Sequence, residues 1–333
     1  QVFNYFCSVG TSDDIFNMSN NAWQQVLRDC NLVNNAIEGQ RDADLQILFE
    51  GVNAKQTKNE EYNSKLSLNR EEWIAITSDL ILRRHVETGQ KTVAEAVRCF
   101  FLDDIAMNVP STCLQDSNKF RAEYCYIEET DLVLRKYEQS LRNIFGAFAF
   151  GTGAIGDALL KIEQVDFAEY MLLMLRLDLI NCYLTQREVR LVFIWSRMVI
   201  VDETTVKGQS EMLQLRFEDF LEALVRFAHM KALPSEEELA ESGLQHSGEF
   251  LDAMAEQPEK EDAFLQQRTR EPDEKCDLPI AWKVRQFVLW MLHTARGGYG
   301  NPEDELTKKE AKAFAAGHVR RKAKVSDESE QTE

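Results

Sequence analysis

The chain has 333 residues, 44% hydrophobic and 28% charged, and carries a formal net charge of −18. This length and apolar content allow one large or two ordinary hydrophobic cores and exclude disorder throughout the chain. The excess of negative charge opposes contact with a phosphate backbone, so we expect no nucleic-acid partner. Arg176 and Asp178 interrupt the apolar run near Met171, which leaves it short of the ~20 apolar residues of a bilayer span. We therefore expect no membrane-spanning helix.

The distribution of proline and cysteine favours a helical protein with reduced thiols. Proline is absent from residues 1–109 and 111–233, so long helices can run there without their strongest breaker. The seven cysteines are widely spread and form no CxxC pair, which is typical of thiols in a core. Because oxidising compartments select paired cysteines, we expect a cytoplasmic protein.

The first part of the chain contains a helix–loop–helix pattern. Residues 42–52 place apolar side chains at i, i+3, i+4 and i+7, which is one face of a helix. Beyond the polar stretch 53–65, Asn69 and Glu72 have the spacing of an N-terminal capping box, and an apolar stripe follows over residues 73–80. The pattern predicts two helices joined by a polar loop.

The same layout recurs later in the chain. Thr185 and Glu188 form a capping box that opens an amphipathic segment over residues 188–198. A polar stretch over residues 202–211 separates it from a second amphipathic segment over residues 213–227. This region is therefore predicted to be another helix–loop–helix unit.

Two weaker copies of the layout complete a repeat. One joins residues 2–6 to residues 23–27, and the other joins residues 141–148 to residues 167–171. Trp23 and Trp73 are 50 residues apart, and Phe167 and Phe220 are 53 apart, each spacing joining the second helices of neighbouring units. The repeat predicts an all-α fold with two lobes, each made of two paired helix–loop–helix units.

Three further segments lie between the two lobes or after them. A capping box at Thr92 opens a helical spacer, and another at Ser235 opens an acidic stretch in which residues 235–275 hold 13 acidic against 4 basic residues. Pro279 precedes a strongly apolar helix, which we expect to pack on the second lobe, with docking into another protein as the alternative. The predicted organisation is a first pair over 1–90, a spacer over 91–128, a second pair over 129–233, an acidic connector over 234–278, a C-terminal helix over 279–298 and a charged, largely disordered tail over 299–333.

Each helix–loop–helix unit resembles an EF-hand, whose loop supplies oxygen ligands at positions 1, 3, 5, 7, 9 and 12 and needs glycine at position 6. When Leu68 is placed at the apolar eighth position, Lys65 and Leu66 fall at positions 5 and 6, and Glu72 falls at position 12. A lysine ammonium would then point to where calcium binds. This loop is therefore predicted to have lost its ion.

The other three loops also depart from the oxygen pattern. Apolar residues fall where oxygens or glycine belong: Met212 and Leu213 before Leu215, Ile155 and Leu159 before Ile162, and Ile15 and Phe16 before Met18. Asp13 and Asp14 leave calcium at the first loop open as an alternative. We expect no metal site in the other loops.

Other motifs give no catalytic site. Residues 151–156 match GxGxxG, but a predicted helix rather than a strand precedes them, so we interpret them as a flexible loop. The histidines have neither a HExxH nor a zinc-finger spacing and are expected to be ordinary core or surface residues: His85, His229, His246, His293 and His318. We therefore expect no catalytic, cofactor-binding or metal-ligating residues, no cofactor and no enzymatic activity.

Several strings resemble known proteins. Residues 3–10, 22–33 and 45–49 are similar to the tubulin polymerisation-promoting family and related EF-hand-like flagellar proteins, and residues 188–228 resemble EF-hand-like repeats of ciliary axoneme proteins, most closely over residues 215–224. The resemblance implies a structural protein that binds tubulin in the doublet microtubules of a ciliary or flagellar axoneme, including a role as a microtubule inner protein. It also implies a location in the cytoplasm, the cytoskeleton and the cilium.

Two alternatives stay open at this point. A calcium-responsive EF-hand regulatory subunit would share the same helix pairs but would open on ion binding. The basic string over residues 320–324 could contact acidic tubulin electrostatically, or it could be part of a solvated tail.

Overall fold

In the computed structural model, residues 1–9, 14–55, 66–87, 91–149, 164–198, 200, 202–203 and 205–318 are described. Helices dominate these residues, and the strands among them are two residues long. This architecture confirms the predicted all-α class. Within the described part of the chain, no helix is both long enough and apolar enough to cross a bilayer.

Internal contacts divide the chain into an N-terminal unit, Gln1–Asp116, and a C-terminal unit, Ser117–Glu333. The boundary falls inside the predicted spacer over residues 91–128. A 3₁₀ turn over Ser111–Leu114 contacts the first helix of the N-terminal unit, whereas Arg121 forms an ion pair of 2.6 Å with Glu222 in the C-terminal unit. The two ends of the spacer therefore belong to different units.

The N-terminal unit contains five α-helices and one strand pair among its described residues. The fourth and fifth helices continue as π-helical turns over Leu82–Val86 and Phe100–Ala106. The elements are α1 (Val2–Cys7), β1 (Met18–Ser19), α2 (Asn20–Asp29), α3 (Asp42–Lys55), β2 (Ser67–Leu68), α4 (Arg70–Ile81) and α5 (Val93–Cys99).

The C-terminal unit is longer and holds the remaining described helices. Its first helix continues as a π-helical turn over Arg121–Cys125. The elements are α6 (Ser117–Phe120), α7 (Glu128–Lys136), α8 (Glu138–Phe148), β3 (Val165–Asp166), α9 (Phe167–Arg176), α10 (Gln186–Ser196), α11 (Val206–Met212), β4 (Gln214–Leu215), α12 (Phe217–Met230), α13 (Glu236–Ser242), α14 (Ser247–Ala255), α15 (Pro258–Arg268), α16 (Ile280–Ala295) and α17 (Lys308–Ala315).

In the N-terminal unit, the loops of two helix–loop–helix segments are joined by an antiparallel strand pair. β1 pairs with β2 in a register that places Met18 opposite Leu68, and both side chains are fully buried. Each strand leads directly into the second helix of its segment, α2 or α4. The pairing therefore fixes the starts of these two helices side by side.

The C-terminal unit repeats this arrangement with β3 and β4. Val165 lies opposite Leu215, and both are buried. Ile162, the predicted apolar eighth residue of the third loop, lies outside the described residues. The residue that pairs with Leu215 is Val165, three positions later, so the loop register moves by three residues.

The acidic segment predicted as a connector contains three helices, α13, α14 and α15. Leu239 and Phe264 bury their side chains, and Phe250 contacts Phe264 with ring centroids 5.4 Å apart. The carboxylates occupy mostly exposed positions, while the few apolar residues point inward. The high charge of this segment is therefore compatible with folded helices.

The apolar helix α16 lies in the core of the C-terminal unit, as predicted. Phe287 is fully buried and stacks on Phe227 of α12 at 6.3 Å. Lys283, also fully buried, donates hydrogen bonds to the carbonyl of His229 (2.8 Å) and to Asp277 (3.0 Å). Both hydrogen bonds of the Lys283 ammonium are made within the C-terminal unit, so α16 is an internal element.

The last described helix, α17, closes the same unit against α8. Asn143 donates to the carbonyl of Leu306 (2.7 Å), and the Leu306 amide donates to Ser140 Oγ (2.9 Å). Phe314 contacts Phe148 with ring centroids 5.8 Å apart. Residues more than 160 positions apart in sequence thus share one core.

All seven cysteines lie in described parts of the chain, and none forms a disulfide. Cys7, Cys30 and Cys113 are buried, and burial raises the pKa of Cys30 to about 12. A buried thiol with a raised pKa is a poor nucleophile. The predicted core role therefore holds for these three cysteines, whereas Cys182 is exposed and the prediction is wrong for it.

If α16 is an internal element, truncating its central side chain will destabilise the C-terminal unit. We expect Phe287→Ala to lower the free energy of unfolding by about 3–5 kcal/mol, because it removes a buried aromatic ring and leaves a cavity. Urea unfolding followed by circular dichroism measures the change. Leu132→Ala, at an exposed position of α7, is the matched control and should change stability by less than about 0.5 kcal/mol. Equal stability of the two variants would contradict the internal position of α16.

Candidate functional site: the paired loops

The loop of the α3–α4 segment ends in a reciprocal capping box. The amide of Glu72 donates to Asn69 Oδ1 (2.9 Å), and the amide of Asn69 donates to Glu72 Oε2 (3.0 Å). In the EF-hand count these residues are positions 9 and 12. A calcium loop needs both oxygens of its twelfth residue for bidentate binding, and here one of them already accepts a backbone hydrogen bond.

Carboxylates also close both loops of the C-terminal unit, reciprocally at Asp166 and Glu169 and in one direction only at Arg216 and Asp219. The Asp166 amide donates to Glu169 Oε2 (2.9 Å), and the Arg216 amide donates to Asp219 Oδ2 (3.0 Å). Counted from Val165 and Leu215, these carboxylates also fall at position 12. Burial raises the pKa of Asp219, although the backbone hydrogen bond from Arg216 acts in the opposite direction. The carboxylates therefore stabilise helix starts in three of the four loops.

The first loop has no carboxylate at position 12, because Ala22 occupies it. Ser19 Oγ caps α2 by accepting from the Ala22 amide (3.2 Å). Asp14, an acid that left calcium open at this loop, accepts hydrogen bonds from the amides of Phe16 (3.2 Å) and Asn17 (3.1 Å). Asp14 thus stabilises a local turn, and Asp13 lies outside the described residues.

Charged side chains of both signs line the fourth loop. A cleft of about 290 Å³ is bordered by three cations and three carboxylates: Arg197, Lys207, Arg216, Asp202, Glu211 and Asp219. Arg197 Nη1 donates to the carbonyl of Met212 (2.6 Å), and Arg216 Nη2 lies 3.3 Å from Glu211 Oε1. Both arginines therefore bind partners within the loop.

Several residues of the predicted loops lie outside the described residues. They are Glu61, Asn63, Lys65, Ile155, Asp157, Leu159 and the glycine-rich run over 151–156. Leu66, at the sixth position of its loop, is highly exposed. Among the described side chains, no group of three or more His, Cys, Asp or Glu residues is arranged to hold a metal ion.

A second candidate site is an exposed apolar stripe on α5 and its continuation, formed by Val93, Val97 and Phe101. These residues follow each other at i+4 and are 56%, 40% and 39% exposed, whereas Ala96 and Phe100 on another side of the helix are buried. A helix that packs in its own unit through one face normally presents polar residues on the other. The apolar stripe is therefore a candidate contact surface for a partner.

The capping box at Thr92 predicts the helix that carries Val93, Val97 and Phe101, but the local pattern does not show which of its apolar positions are exposed. No sequence pattern predicts the proximity of His246 and His293, whose rings lie 5.0 Å apart. The packing of α14 on α16 brings them together, and no local pattern records that contact.

Comparison with known proteins does not identify a relative. No protein-family model, no curated protein and no solved structure matches the chain. The site is therefore interpreted from its own residues.

The capping interpretation of the second loop predicts a specific stability pattern. We expect Asn69→Ala to destabilise α4 by about 1 kcal/mol, because it removes the acceptor for the Glu72 amide. Asn69→Asp should retain the cap, since aspartate is an equally good N-cap. Hydrogen exchange of the α4 amides in low urea measures both effects. Asn17→Ala, at a position that caps no helix, is the control; if it weakened α4 as much as Asn69→Ala, the capping role of Asn69 would be rejected.

Proposed function

We propose that the protein is a non-catalytic architectural protein whose two EF-hand-like lobes work without calcium and bind the microtubules of a ciliary or flagellar axoneme. The proposal includes a place inside the doublet microtubule, as a microtubule inner protein. The observation that carries the calcium-independent scaffold is the use of Glu72, Glu169 and Asp219 as helix caps.

Calcium switching requires loop carboxylates that can turn toward an ion and a helix pair that can open. In this chain, turning any of the three carboxylates would break its hydrogen bond from the backbone amide that precedes the helix, at a cost of about 0.5–1.5 kcal/mol each. An opened EF-hand exposes an apolar groove for a target helix. In the C-terminal unit, α12 already packs against the chain's own α16. Both features favour a lobe of constant shape.

The choice of partner rests on the resemblance of residues 3–10, 22–33 and 215–224 to tubulin-binding and axonemal proteins. Tubulin is acidic, so the exposed carboxylates of α13–α15 would face away from it or meet a basic neighbour. The apolar stripe of Val93, Val97 and Phe101 offers a contact that does not depend on charge. We therefore assign the microtubule contact of the N-terminal unit to this stripe.

Calorimetry with calcium tests the ion-independent part of the proposal. At physiological magnesium concentration we expect no saturable heat, because the carboxylates at position 12 accept backbone hydrogen bonds at helix starts in three of the four loops. A calcium-binding EF-hand protein measured under the same conditions is the positive control. Tight, saturable binding would replace the static scaffold with the calcium-responsive regulatory subunit.

Co-sedimentation tests the microtubule contact. We expect the full chain to pellet with microtubules and Val97→Asp to bind about tenfold more weakly, because a charge in an apolar contact loses on the order of 1.4 kcal/mol. Leu132→Asp, at an exposed position of the C-terminal unit, is the matched control and should pellet like the unaltered chain. Circular dichroism verifies that all variants keep their helix content.

The two parts of this proposal fail separately. If the protein never pellets with microtubules and is easily extracted from axonemes by salt, the microtubule assignment is rejected. A Val97→Asp variant that pellets as well as the unaltered chain would leave that assignment in place but reject the stripe as the contact surface.

A further inference from the structure

The first turn of α14 is pressed tightly against α16. The Ser247 amide donates to Gln286 Oε1 (3.0 Å), and Ser247 Oγ donates to the backbone carbonyl of Gln286. Gly248 packs on the ring of His293 so closely that a Cβ atom at this position would lie 2.5 Å from His293 Cγ. Any change in the first turn of α14 is therefore transmitted directly to α16.

A histidine caps this turn. His246 Nδ1 accepts hydrogen bonds from the amides of Gly248 (3.1 Å) and Glu249 (3.4 Å). A ring nitrogen that accepts must be unprotonated, so the proton of the neutral ring is assigned to Nε2. Nε2 lies 3.7 Å from Glu249 Oε1. The cap exists only while His246 is neutral.

The neighbouring histidine, His293, packs against the capping ring. His293 Nε2 lies 2.8 Å from Asp252 Oδ2, while its Nδ1 is buried and has no hydrogen-bond partner in the described structure. The ring of His246 is 5.0 Å away. A proton added to His293 Nδ1 would have no acceptor, and a proton added to both rings would place two cations in contact.

We propose that His246, packed against His293, forms a pH-sensitive latch, which holds α13–α15 on α16 while the His246 ring is neutral and releases them when that ring is protonated. Protonation converts the acceptor of the cap into a donor that faces two backbone N–H groups. It also places a positive charge at a helix N-terminus, where the helix dipole disfavours cations. The latch is independent of the proposed microtubule contact.

The charges around His246 determine the direction of the response. Glu249 and Asp252 of α14 and Glu303, which follows α16, favour the protonated ring, whereas His293 of α16 opposes it. Burial is the largest influence, and the pKa of His246 is lowered. The closed latch therefore binds fewer protons than the open one. Its stability is complete above the ordinary histidine pKa of about 6.5 and falls as the pH drops toward the lowered pKa.

Hydrogen exchange on the full chain at pH 7.5 and pH 5.5 tests the latch. After correction for intrinsic exchange rates, we expect the opening equilibrium of the α14 amides to rise at pH 5.5, one pH unit below the ordinary histidine pKa, by at most about tenfold. The amides of α12 should change little. Trp282 Nε1 donates to the carbonyl of Pro234 (2.9 Å), so tryptophan fluorescence should report release in parallel. An unchanged α14 would overturn the proposal.

Two substitutions separate the latch from general acid sensitivity. His246→Asn keeps a good N-cap that does not titrate, so its α14 amides should exchange equally at the two pH values. His318→Asn removes an exposed histidine and should keep the full response. If the α14 amides of His246→Asn kept the pH response of the unaltered chain, His246 would not be the sensor.

If the His246→Asn substitution itself opens α14 at pH 7.5, a direct titration of His246 in the unaltered chain still tests the proposal. The ring protons of His246 in the unaltered chain, followed by nuclear magnetic resonance, should titrate at a lower pH than those of a histidine peptide. A midpoint equal to that of the peptide would show that closing the latch does not exclude the proton, and would reject the proposal.

Discussion

Backbone pairing between neighbouring loops is the interaction on which each unit depends. Met18 with Leu68, and Val165 with Leu215, bring two loops together through a two-residue antiparallel ladder. A ladder this short is weak alone, and it is supported by buried side chains on both strands and by a helix directly after each strand whose start is stabilised by a side-chain oxygen. Hydrogen bonds from backbone amides to side-chain oxygens of the chain itself hold these loops at the helix starts.

The helix caps of the loops and the packing of α16 on α12 determine how the two units respond to ions and partners. A cap made by a carboxylate within the chain does not depend on the concentration of any ion, and α16 fills the contact surface of α12 permanently. The N-terminal unit retains one apolar stripe on its surface, and the C-terminal unit retains an acidic one on α13–α15. Contacts with partners would therefore use surfaces that are present all the time, except where α14 is held by titratable groups.

The sequence was sufficient for features whose signals are local. Capping boxes at Asn69, Thr92, Thr185 and Ser235 are all present, because three-residue spacing and side-chain chemistry determine them. The sequence pattern predicts Ile162 as the apolar eighth residue of the third loop, three residues before the Val165 that pairs with Leu215, since both residues are apolar and the local pattern does not distinguish them. The helices of the acidic segment were underestimated because average charge conceals the two or three apolar residues that pack.

Features that depend on distant contacts could not be predicted. His246 and His293 are separated by α15 and a long connection, and only the docking of α14 on α16 places their rings together. The boundary near Asp116 is likewise set by which unit each end of the spacer contacts. The exposed side of the helix that carries Val97 follows from packing against the preceding helix. In each case the local pattern is compatible with more than one arrangement.

The contact of α17 with α8 has a consequence for how the protein is made. Asn143 and Ser140 bond to Leu306, so the core around α8 joins residues that are translated far apart in time. Long-range contacts of this kind slow folding and leave apolar surface uncovered in the meantime. During synthesis, the C-terminal unit cannot complete its core until Leu306 and the helix after it have left the ribosome. Fragments that end before residue 308 would expose Phe148 and remain incompletely folded.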